Sequence, residues 1–251
     1  MELTIELNNK LYHFIREIGK GTYSNVLLYA CDDNLYAIKI FKYGYEQYFK
    51  NEITIYEKIQ NKYGYHKYIV KMIDYGKING SVNIIIMEYL DGLDCVDYIN
   101  IYNIKYNEIL IFIKCLFTTI RDLHKIKIYH RDIKLDNIIY DKNKRFKLID
   151  FGFSYTGKNK YICGSVNYYP PWFKSKNIRI KDFIYQDIYA FIVCIYILVN
   201  KRQTPYINGV YIKSDSKYEN INIFLDNIFL NKLFDINIIE SKFKSLINKI
   251  D

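Results

Sequence analysis

One run of polar residues constrains this chain more than any other part of its sequence. Residues His130–Asn137 read HRDIKLDN, and after a short predicted hairpin Asp150–Gly152 read DFG. Asp132 provides a carboxylate that can orient a hydroxyl group, and Lys134, two residues later, provides an ammonium group that can bind a phosphate. Few chemistries need both groups at this spacing in one loop.

The same run contains two side chains that suit a magnesium ion, since Mg²⁺ prefers oxygen ligands. These are the amide of Asn137 and the carboxylate of Asp150. Phosphoryl transfer asks a protein mainly for in-line positioning and neutralisation of charge, so the set predicts that reaction. It resembles the catalytic loop and metal-binding triplet of the eukaryotic protein kinases. The resemblance implies that Asp132 orients the attacking hydroxyl, that Lys134 contacts the γ-phosphate of ATP, and that Asn137 and Asp150 bind Mg²⁺.

The first part of the chain is predicted to form antiparallel strands around a glycine-containing turn. Strands are predicted over residues 12–18, 25–31 and 35–41. Gly19 and Gly21, between the first two, would let backbone N–H groups approach phosphates. Ser24 occupies the position of the third glycine of the kinase motif. By resemblance, this turn contacts ATP through Ile18, Gly19, Lys20, Gly21, Thr22, Tyr23, Ser24, Asn25 and Val26.

Lys39 closes the third predicted strand and resembles the kinase lysine that binds the α- and β-phosphates. Its expected partner is Glu52, in an amphipathic segment over residues 47–59, and Glu57 is the alternative. Two more strands are predicted over residues 69–75 and 82–87, before a stretch that resembles the hinge between kinase lobes. The adenine contacts that the resemblance implies are Val26, Ala37, Met87, Glu88, Leu90 and Ile139.

The second half of the chain has the periodicity of helices. Residues 107–124 carry one apolar stripe. The most apolar run, residues 183–199, is short for a membrane span and contains Gln186 and Asp187, so we interpret it as a buried core helix. Asp187 is expected to bind the backbone of the catalytic loop near His130.

The resemblance implies an α+β, bilobal protein-kinase fold. We expect a single domain over residues 1–251, with a small antiparallel β-sheet and one helix over about residues 1–87. A hinge over residues 88–92 would precede a mainly helical lobe over residues 93–251.

The segment after Asp150 departs from the family at two places. Residues Cys163–Tyr168 resemble the calmodulin-dependent and AMP-activated branch of Ser/Thr kinases, and Ser165 is expected to contact Asp132 and Lys134. Tyr161 occupies the position of the usual phosphorylated Thr. Either Thr156 or Tyr161 substitutes for it, or the segment is ordered without phosphate.

The second departure is Pro170-Pro171-Trp172 in place of Ala-Pro-Glu, with no Arg after Arg202. Both charges of a buried family ion pair are therefore missing together, and apolar replacement of both partners can be nearly neutral. We expect Trp172 to fill that site by apolar packing.

Composition limits the partners and the compartment. The net charge of +9 comes from scattered basic residues, so nucleic-acid binding is not expected. Five widely spaced cysteines indicate a reducing compartment. Without a recognisable signal peptide or membrane span, we expect a cytoplasmic monomer. The abundance of Lys, Asn, Ile and Tyr indicates an AT-rich genome, and the host cytoplasm would be the location if the source is viral.

The sequence thus predicts a protein-serine/threonine kinase that uses ATP and Mg²⁺ to modify protein Ser or Thr residues. The alternative is a pseudokinase that acts as a scaffold or decoy and binds nucleotide or partners without efficient catalysis. A small-molecule kinase of related fold is a further alternative, but such enzymes typically lack the lysine found here at position 134.

Overall fold

The structure is a computed structural model that describes residues 4–155, 157, 163–172, 178–201 and 204–247. The chain divides into two compact units. One, the sheet unit, contains the described residues up to Asp91 together with Asp150–Gly152. The other, the helical unit, contains Gly92–Ile149 and the described residues from Phe153 onward.

The sheet unit is built on a six-stranded antiparallel sheet and one helix. The sheet has the strand order β1-β2-β3-β4-β6-β5. Its strands are β1 (Thr4–Leu7), β2 (Lys10–Lys20), β3 (Ser24–Cys31), β4 (Asn34–Phe41), β5 (Met72–Ile78) and β6 (Val82–Glu88), with helix α1 (Glu46–Tyr63) between β4 and β5. Alternate side chains of these strands form an apolar cluster that includes Tyr29, Ile38 and Ile86, as the two-residue period of a strand dictates.

The helical unit is organised around one buried helix. Its elements are β7 (Gly92–Asp94), α2 (Cys95–Ile101), α3 (Tyr106–Lys125), β8 (Ile138–Asp141), β9 (Phe146–Leu148), α4 (Ile180–Asn200), β10 (Tyr206–Ile207), β11 (Val210–Tyr211), α5 (Glu219–Asn231) and α6 (Ile236–Ile247). Within the described ranges, α4 alone is long and apolar enough to cross a membrane, but 78% of its most apolar window is buried inside the protein. That burial marks α4 as a core helix.

The structure contains elements that the sequence patterns did not predict. Strand β1 pairs with β2 through a turn at Asn8 and Asn9, both with positive φ, and asparagine tolerates this conformation better than most residues. β5 begins at Met72 rather than at the predicted residue 69. Ile69 and Val70 are both buried although they are adjacent, which the alternation of a strand facing solvent on one side does not allow.

Candidate active site

Lys39 lies between two carboxylates in the sheet unit. Its Nζ is 2.8 Å from Oε2 of Glu52 and 2.8 Å from Oδ1 of Asp150. β4 carries the lysine and α1 carries Glu52, whose side chain is 0% exposed. Glu57, the alternative partner, is exposed and accepts a hydrogen bond from the hydroxyl of Tyr75. The structure therefore brings Lys39 together with Glu52.

The electrostatics of this cluster keep the lysine charged. Burial alone would lower the pKa of Lys39, but the carboxylates of Asp150 and Glu52 outweigh burial and raise the pKa above its ordinary value. Burial raises the pKa of Glu52, an effect that Lys39 opposes and Asp150 reinforces. Two carboxylates thus share one ammonium group, which can also attract a phosphate.

The DFG segment is held to α1. Asp150 has a φ of 62°, a rare conformation for a residue other than glycine, and its Oδ1 accepts a hydrogen bond from the N–H of Gly152 at 3.0 Å. The buried ring of Phe151 meets Tyr56 edge to face, with ring centres 5.2 Å apart. Such strained backbone persists where the surroundings determine it, often at functional sites.

The residues predicted to contact the nucleotide fall mainly on the strands of the sheet unit. The predicted phosphate turn lies between β2, which contains Ile18–Lys20, and β3, which contains Ser24–Val26. Across the sheet, Val26 pairs with Lys39 and Ala37 pairs with Met87. The N–H of Glu88 donates to the carbonyl of Lys71 at 3.0 Å, so a purine contact at Glu88 would have to use its carbonyl oxygen. Leu90 is buried in the same unit.

Asp132 is surrounded by hydrogen-bond donors of the helical unit. Its Oδ1 accepts from the hydroxyl of Ser165 at 2.9 Å, and its Oδ2 accepts from Nδ2 of Asn137 at 3.1 Å. The Nζ of Lys134 lies 3.5 Å from the same Oδ2. Asp132 and Asn137 are buried, whereas Lys134 and Ile139 are half-buried. The carboxylate of Asp132 is thus fixed in orientation by a hydroxyl, an amide and an ammonium group.

Helix α4 holds the backbone of this loop. The side chain of Asp187, 1% exposed, accepts from the N–H groups of His130 at 2.8 Å and Arg131 at 2.7 Å. It also contacts Nε2 of His124 at 2.9 Å. The expectation that Asp187 binds the loop near His130 is confirmed. These contacts explain why a carboxylate is tolerated in an apolar helix.

Arg131 is packed among aromatic rings. Its φ is 63°, and its carbonyl accepts a hydrogen bond from Nε2 of Gln186 at 2.9 Å. The buried guanidinium lies 5.1 Å from the ring centre of Phe183 and 5.5 Å from that of Tyr155, in the range of cation–π interactions. Its Nε donates to the carbonyl of Phe153. Thr156 and Tyr161, the predicted substitutes for the usual phosphorylated Thr, lie outside the described residues.

Trp172 packs in an aromatic cluster, as expected from its replacement of a charged residue. Its ring lies edge to face against Tyr189 and Tyr206, with centres 6.1 and 5.6 Å apart, and near Phe234 at 6.4 Å. The Nζ of Lys232 lies 4.6 Å from the centre of the indole ring. Trp172 is half-buried, so apolar and cation–π contacts stabilise this position.

Some residues that shape the site carry no recognisable sequence signal. Gln186 joins the carbonyls of Arg131 and Cys163. At Gly164, a Cβ atom would collide with the carbonyl oxygen of Arg131, so the closeness of two backbones requires a glycine. The glycine stands in a motif that sequence reasoning identified, but its contact does not follow from sequence.

The lysine with two carboxylates, and the loop in which Lys134 and the buried Asp132 and Asn137 lie together, define a class of protein. The model of the protein kinase domain matches residues 12–250. The chain therefore belongs to the protein kinase domain family, and its fold is the α+β fold of that family.

The chain is similar to part of several curated kinases. It is 34% identical over 146 residues to serine/threonine-protein kinase CLA4 of Candida albicans, an alignment that covers 57% of this chain and 15% of that protein. It is 28% identical over 203 residues to serine/threonine-protein kinase SMU1 of Mycosarcoma maydis, covering 79% and 27%. To human NUAK family SNF1-like kinase 2 it is 31% identical over 172 residues, covering 64% and 26%. The chain thus matches between about one seventh and one quarter of the length of these relatives.

Proposed function

We propose that the chain is an active serine/threonine protein kinase that transfers the γ-phosphoryl group of ATP directly to a protein hydroxyl. The observation that supports this most is the set of contacts at Asp132, whose carboxylate binds Ser165 and Asn137 and lies beside Lys134. A loop that served only as scaffold would not need a buried carboxylate with this arrangement of donors. The kinase names of the relatives agree with the proposal.

The proposed reaction forms one bond and breaks one. The substrate hydroxyl oxygen bonds to the γ-phosphorus, and the bond from that phosphorus to the β,γ-bridging oxygen breaks, which releases ADP. Asp132 orients the hydroxyl and accepts its proton, while Lys134 neutralises charge on the transferred group. Lys39, kept charged by its two carboxylates, contacts the α- and β-phosphates.

The donor atoms suit Mg²⁺. The amide N–H groups of Asn137 donate to Asp132, so the side-chain carbonyl oxygen of Asn137 is the atom that can bind a cation. The second ligand is a carboxylate oxygen of Asp150, whose side chain is 43% exposed. Both atoms are hard oxygen ligands. When bound, Mg²⁺ would neutralise phosphate charge.

We also propose that the protein is a cytoplasmic monomer that acts on protein and does not bind nucleic acid.

The test is transfer of labelled phosphate from ATP with Mg²⁺ to a generic basic protein, followed by phosphoamino-acid analysis. Asp132→Ala should lower kcat about 10²–10⁴-fold, the usual contribution of a positioned base, and leave ATP binding nearly intact. Asp136→Ala is the matched control, because Asp136 lies in the same loop but is exposed. Label on Ser or Thr that disappears only in the Asp132 variant would support the proposal. A folded wild-type protein that binds ATP without transfer would support the scaffold alternative.

A further inference from the structure

The predicted phosphate turn is held by a lysine that follows β4. The N–H of Gly21 donates to the carbonyl of Ser24 at 2.9 Å, which closes the turn. The Nζ of Lys42 donates to the carbonyls of Gly21 at 2.6 Å and Thr22 at 3.2 Å. The N–H of Lys42 donates to the carbonyl of Tyr23 at 2.9 Å. One residue thus binds three successive carbonyls of the turn.

The ring of Tyr23, at the tip of the turn, is held by α1. It stacks on the ring of Tyr48 with centres 4.2 Å apart and planes 13° apart. Tyr45 meets both rings near edge to face, at 5.0 and 5.9 Å. The three rings are half-buried. We call Tyr23, Tyr45 and Tyr48 the tyrosine stack.

Tyr48 of the tyrosine stack and Glu52, the partner of Lys39, lie on one face of α1. Tyr48 and Glu52 are four residues apart, which places them one above the other on a helix, and Glu52 binds Lys39 at 2.8 Å. A Cβ atom at Gly152 would lie 4.0 Å from Cδ1 of Tyr48. Thus a single turn of α1 contacts the phosphate turn, the lysine pair and the DFG segment.

A turn that is ordered before the ligand arrives avoids the entropy loss of ordering on binding. We propose that Tyr48 and Lys42 are positioning residues for ATP, which hold the turn Gly21–Tyr23 in its binding conformation through the ring of Tyr23 and the carbonyls of the turn. This proposal rests on the proposed function for its ligand. It assigns to Tyr48 an effect on nucleotide affinity rather than on the rate of transfer.

The test compares three variants at two positions in the same region. Tyr48→Leu removes the stacked ring, Tyr48→Phe keeps it, and Tyr43→Leu is the matched control because Tyr43 is 99% exposed. Dissociation constants for a fluorescent ATP analogue with Mg²⁺ are measured together with KM for ATP and kcat. An aromatic pair contributes the equivalent of about 2- to 12-fold in an equilibrium constant.

We expect Tyr48→Leu to raise the dissociation constant and KM for ATP about 2- to 12-fold, with kcat within about twofold of wild type. The Tyr48→Phe and Tyr43→Leu proteins should behave like wild type. An unchanged affinity in Tyr48→Leu would overturn the proposal. A fall in kcat at unchanged KM would also overturn it, because that result would assign the effect of Tyr48 to the Lys39–Glu52 pair.

Amide hydrogen exchange gives a readout that needs no nucleotide. The N–H groups of Gly21 and Lys42 are hydrogen-bonded within the turn, so both should exchange faster in Tyr48→Leu and at the wild-type rate in Tyr48→Phe. Equal exchange in all variants would overturn the proposal. A wild-type protein that binds ATP without transferring phosphate would refute the proposed function alone, and affinity and exchange would then decide the role of Tyr48. A wild-type protein that does not bind ATP would overturn the assignment of Tyr48 and Lys42 as positioning residues.

Discussion

Replacing Lys39 should destabilise the protein strongly, whereas replacing its partner Glu52 should not. In Lys39→Met, the fully buried Glu52 and the partly exposed Asp150 both lose the ammonium group that lies 2.8 Å from each carboxylate. Breaking a buried ion pair from one side costs about 3–5 kcal/mol. In Glu52→Gln, Lys39 keeps Asp150 as a charged partner and gains an amide oxygen acceptor, so the expected change is within about 1 kcal/mol.

The sign of the pH dependence follows from the same contacts. Burial and Asp150 both raise the pKa of Glu52, and Lys39 opposes them, so Lys39→Met raises this pKa further. A carboxyl with a raised pKa in the folded state binds its proton more tightly there, so stability falls as pH rises. In Lys39→Met, Glu52 can avoid the cost of an unpaired buried charge by binding a proton. The loss of folding free energy is therefore limited to the cost of that protonation, about 1.36 kcal/mol for each pH unit above the ordinary pKa of 4.5. That limit is about 4 kcal/mol at pH 7.5 and under about 1 kcal/mol at pH 5.

The assay is urea unfolding followed by circular dichroism at pH 5 and pH 7.5, for wild type and both variants. We expect the free-energy deficit of Lys39→Met to shrink by about 3 kcal/mol at the lower pH, and that of Glu52→Gln to stay small at both. A deficit for Lys39→Met that does not change with pH would refute the reasoning. So would a Glu52→Gln protein that is as unstable as Lys39→Met.

Three further predictions concern the helical unit. Trp172→Ala should lower the free energy of unfolding by about 2–4 kcal/mol through lost ring contacts, and Trp172→Phe by less than half of that; equal values in urea unfolding would contradict the packing argument. Gly164→Ala should lower the rate of phosphate transfer at least about 100-fold, because its Cβ would displace the carbonyl of Arg131. The control Gly209→Ala also has positive φ but meets no atom within 4 Å, and it should keep most of the transfer rate. Burial raises the pKa of the Cys163 thiol to about 11, so at pH 7.5 an aromatic disulfide reagent should react about tenfold more slowly than with an ordinary thiol; a rate that levels off near pH 8 instead of rising to pH 10 would contradict this.

The features that could be predicted from sequence are those that a single segment shows by its residue types or by the periodicity of its apolar residues. The stripe of α3 placed its apolar residues in the core, and Ile109, Phe112 and Leu116 are all buried there. The contact of Asp187 with the catalytic loop could be predicted because a carboxylate in an apolar helix needs donors. In both cases the physical requirement is visible within one segment.

What could not be predicted depends on contacts between segments distant in the chain. Nothing in the sequence distinguishes Lys42 or Tyr48 from an ordinary surface residue. Only the fold brings Lys42 to Gly21 and Tyr48 to Tyr23. The short strands β10 and β11 and the ends of β5 follow from packing rather than from propensity, which is a weak guide for strands. Sequence therefore indicated the proposed catalytic groups and the supporting contact of Asp187, but not the supporting contacts of Lys42 and Tyr48.

In each of the two units, one helix stabilises a segment of the proposed site: α1 in the sheet unit and α4 in the helical unit. In each, one helix presents side chains three or four residues apart, and so on one face, to a backbone that would not keep its conformation alone. In the sheet unit α1 uses Tyr48 and Glu52. In the helical unit α4 uses Phe183, Gln186 and Asp187, which bind the guanidinium, the carbonyl and the N–H of the loop around Arg131.

The positive φ of Arg131 and of Asp150 lies where these helices make their contacts, so the strain of the loops is offset by interactions of a rigid element. Side chains that share a helical turn move together when the helix moves. A displacement of α1 would therefore disturb the phosphate turn and the Lys39 pair together, so effects of Tyr48 and Glu52 substitutions on ATP affinity should not be additive. The conformation of these loops therefore depends on the contacts of α1 and α4 as much as on the residues of the loops themselves.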